Sequence, residues 1–188
     1  VVNLFNNARY PREDVSSLSL QEFMPPFDPP NGGGFSAAAA CTTLIEYMNR
    51  VAVGDTVRLS ARFIGLVSSR LQHGSSLSNR TVLKTLARVG IPPTRLTPAT
   101  QTDQQLLDDP LLYSFPFKSP LIYMRVDSDR QNSISAIANM RSFLRAGFPL
   151  VFGFAVPGSI SRDPVMPYRP LFESVSGGAA ALAVGYDD

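Results

Sequence analysis

One cysteine and one histidine, Cys41 and His73, are all that this 188-residue chain holds of either type. That scarcity limits what the chain can fold into. A disulfide framework needs paired cysteines, so none can staple the fold from within. A tetrahedral zinc site made of cysteine and histidine alone needs about four such ligands. The fold must therefore rest on an apolar core, and hydrophobic residues supply 44% of the chain. That is enough for one sizeable core, or one shared by two lobes. The residue pattern implies no metal and no cofactor. Any chemistry with a histidine base must use His73 or borrow from a partner.

Charge narrows the partners. Seventeen Lys+Arg stand against fifteen Asp+Glu, a formal net charge of +2. This is no electrostatic footprint for nucleic acid. Only Lys84 and Lys118 are lysines. The spaced arginines Arg50, Arg58, Arg62, Arg70, Arg80, Arg88 and Arg95 suit bidentate pairing and protein interfaces, or a solvated helical face. We find no apolar run of about 18 residues and no basic-then-apolar start, so neither a membrane span nor a signal peptide is expected.

Helices are expected early and strands late, which predicts an α+β fold. Residues 1–30 read as an extended proline-rich arm, because Met24-Pro25-Pro26-Phe27-Asp28-Pro29-Pro30 cannot be a helix interior. Residues 31–100 read as a mainly helical lobe. Its helices are expected over 37–50, 59–71 and 79–89, with Ser36 as a plausible N-cap and Gly90 as a stop. Residues 101–188 read as a β-rich lobe of the same single domain. Residues 91–118 read as a long connection that overlaps the boundary between the two lobes. Strands are expected at 121–126, 150–156 and 179–186, and a helix over 135–146. The 150–156 strand is apolar enough to be buried on both faces. Residues 157–176 read as a loop and Gly177-Gly178 as a turn.

Three motifs carry a resemblance. Gly34-Phe35-Ser36-Ala37-Ala38-Ala39-Ala40, followed by Ile45-Glu46-Tyr47, resembles the nucleophile helix of papain-like (C1 family) cysteine peptidases. Gly147-Phe148-Pro149-Leu150-Val151-Phe152-Gly153-Phe154 and Gly177-Gly178-Ala179 through Gly185-Tyr186-Asp187-Asp188 resemble two late strands of that family. The resemblance covers most of the chain in the family's order. It implies a papain-like fold that lacks the family's last strands.

The same alignment shows losses. The nucleophile position holds Ser36, the base position Ala179 and the oxyanion position Pro30, with Asn31 after it. Proline cannot donate from its backbone either. A serine hydroxyl needs a base within reach, so no catalytic residue is expected. The bland reading of Ser36 is a helix N-cap. Cys41 lies on the same helix, turned away from Ser36, and reads as a small buried hydrophobe. His73 reads as a solvated loop residue. Gly32-Gly33-Gly34 lacks the lysine of a phosphate loop and reads as a flexible lead-in. Asp108-Asp109 and Asp187-Asp188 read as solvated turns, and Asn79-Arg80-Thr81 as a helix cap rather than a glycosylation site.

These readings point to a pseudopeptidase kept as a structural or interaction subunit of a larger protein assembly. The alternatives are a peptide-binding module that uses the vestigial cleft, and a cysteine-peptidase-family hydrolase inactivated by substitution or completed by a partner histidine or a missing segment.

Overall fold

The computed structural model describes residues 16–26, 35–54, 56–72, 77–116, 121–127, 133–158 and 174–187. Helix α1, Ser36–Val53, is built from small residues at its start, and Ala37, Ala38, Ala39, Ala40 and Cys41 are all buried. Alanine combines high helix propensity with a thin side chain, so neighbours approach closely on several sides. Gly54 closes the helix in the left-handed region at φ 76°, where glycine carries no Cβ penalty.

Helices α2, Ala61–Leu71, and α3, Asn79–Val89, pack against α1. Phe63, Ile64 and Val67 from α2 meet Val82 and Leu86 from α3 around Ala38, Cys41 and Ile45. Each fully buried large side chain contributes about 1.5–3 kcal/mol. Ser60 and Ser78 cap the two helices, accepting from the backbone N–H of Phe63 and Thr81. Asn79, expected as a cap, is instead the first helical residue of α3. Gly90 ends α3 at φ 77°.

The connection after Gly90 is more ordered than its prolines suggest. It holds α4, Asp103–Asp108, behind a Thr102–Gln105 capping box, and two single 3₁₀ turns. Leu106 and Leu112 from this stretch enter the core. Polar caps at Thr102 and Asp109 satisfy backbone donors at the starts of these short elements.

Helix α5, Ser133–Arg145, leads through Gly147 into β2, Leu150–Pro157. Strand β2 pairs antiparallel with β3, Val175–Ala183, in the register Phe152↔Ala181 and Phe154↔Ala179. Strand β4, Gly185–Asp187, pairs antiparallel with β1, Ser17–Ser19. The α+β order expected from the sequence is therefore present.

Four local expectations are corrected. Residues 121–126 form no strand, and Val126 lies at a bend, with Ile122 88% exposed. Strand β3 begins at Val175, so Gly177-Gly178 lies inside a ladder rather than in a turn. The single expected strand over 179–186 divides at Val184 between β3 and β4. Strand β2 is only half-buried, because within the described residues it has one strand neighbour and Phe152 stays 38% exposed.

Candidate functional site

The N-terminus of α1 sits against β3. Phe35 occupies the N-cap position without a side-chain cap bond. Its ring lies against Gly65 of α2, where a Cβ would come within 2.7 Å of it. Glycine at position 65 thus gives the ring its seat and fixes where α1 begins. Ser36 is the first helical residue, not the cap expected from its type. Its Oγ accepts a 3.1 Å hydrogen bond from the backbone N–H of Ala180.

That bond joins positions 144 residues apart. It puts Ser36, expected from the sequence at the nucleophile position, beside the strand that carries Ala179, expected at the base position. A methyl group cannot take the serine proton. Within the described residues, the hydroxyl's bond is to this amide.

The bond also fixes the hydrogen-bonding phase of the strand. Residues directly opposite in an antiparallel pair either exchange both backbone bonds or neither. Ala180 lies opposite Gly153 and turns its N–H to Ser36 instead, so it is a non-bonded position. Gly178, two residues away, shares that phase and turns its N–H and C=O off the edge of the sheet. Gly177 and Gly178 are both exposed. Around a Cβ built at Gly177 there is open space.

Cys41 is fully buried, as its apolar surroundings predict. Burial pushes its thiol up to about 12 from 9.0, so it stays protonated and unreactive at neutral pH. Pro30, Asn31, His73, Gly32-Gly33-Gly34 and Asp188 lie outside the described residues. Among the described residues, no group of three His, Cys, Asp or Glu side chains could hold a metal ion, and no helix is long and apolar enough to cross a membrane. Asp108 lies 4.0 Å from Arg70, and Asp109 caps a 3₁₀ turn through the Leu111 N–H.

Several of the spaced arginines hold the fold together. Arg62 binds Asp103 and the carbonyl of Gln101. Arg50 donates to the carbonyl of Met24 at 2.9 Å, and Arg58 to that of Pro26. Arg58 also pairs with Glu46, whose side chain is only 3% exposed. Glu46 in turn accepts from the Leu59 N–H at 2.6 Å. The sequence reading missed this role of Glu46. The available signal was a lone carboxylate inside an apolar helix, which must find charged or N–H partners to be buried. A half-open hollow of roughly 520 Å³ lies beside Glu46, lined also by Thr42, Ser60 and Thr97.

Helices α1 to α3 ahead of the antiparallel β2–β3 pair, with the N-terminus of α1 set against β3, give a papain-like α+β fold. Among solved structures, the chain is similar to xylellain, a cysteine protease from Xylella fastidiosa. The two share 24% identity and a TM-score of 0.65, over 93% of this chain and 70% of that one. No protein-family model matches the sequence, and neither does any curated protein. At this identity the likeness carries the fold.

Proposed function

We propose that this chain is a non-catalytic papain-like domain that acts as a structural or interaction subunit of a protein assembly. The observation that carries this reading is the Ser36–Ala180 bond. It sets the Ser36 hydroxyl against the strand that carries Ala179, and the sequence resemblance aligns these two residues with the nucleophile and the base. Serine without a base contributes little nucleophilic catalysis. The only thiol, Cys41, is buried and protonated. The test is a purified full-length chain assayed with fluorogenic peptides and activated esters. The expected result is no turnover above buffer, with Ser36→Ala indistinguishable from wild type. Turnover that Ser36→Ala abolishes overturns the reading.

The outward-facing backbone of Gly178 supports a second reading, capture of an extended peptide by strand addition. Gly178→Pro removes the outward N–H while sparing the β2 ladder, and proline is tolerated where an edge N–H faces solvent. Titration calorimetry with an extended peptide library should then show binding to wild type and none to the proline variant. Equal binding by the two proteins rejects it.

A further inference from the structure

Residues 16–26 cross the molecule as a strap. At one end, β1 pairs with β4, the Leu20 N–H donates to the Val184 carbonyl at 2.7 Å, and the Leu20 side chain is 1% exposed. At the other end the strap reaches the helical side of the fold. There Pro25 is buried, and the carbonyls on either side of it, Met24 and Pro26, accept from Arg50 and Arg58. The two ends differ in kind. The first is a backbone ladder with a buried leucine, and it depends on no charge. The second is a pair of guanidinium clamps around one proline ring.

The clamps differ from each other as well. Arg58 also faces Glu46 at 3.5 Å, and that carboxylate binds the N–H of Leu59, just before Ser60, the cap of α2. A buried carboxylate on α1 thus holds one arginine and one backbone amide together. The arginine carries that hold outward to the strap. Leu59 N–H and Arg58 share one carboxylate oxygen, so moving Arg58 away takes one ion-pair contact from a buried carboxylate.

We propose that Glu46, Arg58 and the Pro26 carbonyl form a latch that decides whether the helical end of the strap stays seated, while the β1–β4 end remains paired. The latch is a conformational device of the fold and does not rest on the proposed function. Its released state keeps β1 on β4 and frees residues 23–26 from α1. Glu46 acts in it as a positioning residue, through Arg58.

Hydrogen exchange on the full chain tests the latch, with Glu46→Gln, Arg58→Ala and the double variant beside wild type. Glu46→Gln keeps an oxygen for the Leu59 N–H and removes the negative charge that faces Arg58. A charge-assisted bond lost at one end of a strap corresponds to a rise of about tenfold or more in local opening. The expected result is such a rise for amides between Phe23 and Met24, with α2 and α3 amides unchanged. The double variant should exchange no faster there than Arg58→Ala alone, because the two residues act in series. Unchanged exchange at the strap overturns the latch. So does a uniform rise across α2 and α3, which reads as general loss of stability, and so does simple additivity of the two substitutions.

Discussion

Ser36 and Cys41 stand five positions apart on one helix and meet opposite environments. Ser36 Oγ is tied to the Ala180 N–H, so Ser36→Ala strands a backbone donor and should cost about 1 kcal/mol. Thermal melting and exchange of the Ala180 amide would register that loss together. Ser36→Cys places a second thiol at a helix N-terminus, where the dipole favours thiolate. Iodoacetamide at neutral pH should then add one mass label to this variant and none to folded wild type. Cys41 has its own pH signature. Its thiol is raised from 9.0 to about 12 by burial, so the unfolded chain loses this proton first. The protonated thiol's contribution to stability is complete below pH 9, declines as pH rises, and is gone above pH 12. The slope is at most about 1.4 kcal/mol per pH unit. Urea melts at pH 8 and pH 10 should show this decline in wild type, and a smaller one in Cys41→Ala. The burial of Cys41 was legible from its alanine neighbours. The partner of Ser36 was not, because nothing local to a serine names an amide so distant in sequence.

Among the elements, helices were more legible than strands. The stripe of Val82, Leu86 and Val89 defines α3 by itself; its bounds and its stop at Gly90 matched, while Ser78 rather than Asn79 caps it. Residues 121–126 have strand composition, yet a strand needs a neighbour to form a ladder, and no composition supplies one. Gly177 and Gly178 misled in the other direction: glycine pairs resemble turns, but here they lie in β3 opposite Val156 and Ala155. Two glycines do hold elements in place. At Gly90, φ is 77° and a Cβ would lie 1.8 Å from the Phe115 carbonyl oxygen. Backbone cannot yield as a side chain does, so Gly90→Ala should cost at least about 3 kcal/mol and yield little folded protein. Gly65→Ala meets the Phe35 ring first, which can shift, so about 1–3 kcal/mol is expected. Denaturant midpoints of the two variants should fall in that order. Equal midpoints would mean that Phe35 is as immovable as the Phe115 backbone.

For the whole molecule, the order of the papain-like fold was readable because its two most distinctive motifs lie far apart in the chain. The connection between them was less so, since the buried positions of Leu106 and Leu112 depend on which helices they land on. The apolar side chains divide into two populations. Leu106 is fully buried, whereas Ile122 and Ile134 are 88% and 77% exposed. If the exposed group serves contacts with other subunits, as the proposed function holds, it contributes nothing to the fold of the isolated chain. Ile122→Ser and Ile134→Ser should then each change stability by less than about 0.5 kcal/mol. Leu106→Ala should cost about 2–5 kcal/mol. At roughly 2–4 °C per kcal/mol for a domain of this size, thermal melting separates these outcomes readily. A large fall in Tm for either serine variant would place that isoleucine in the core of the isolated domain and remove it from any contact surface.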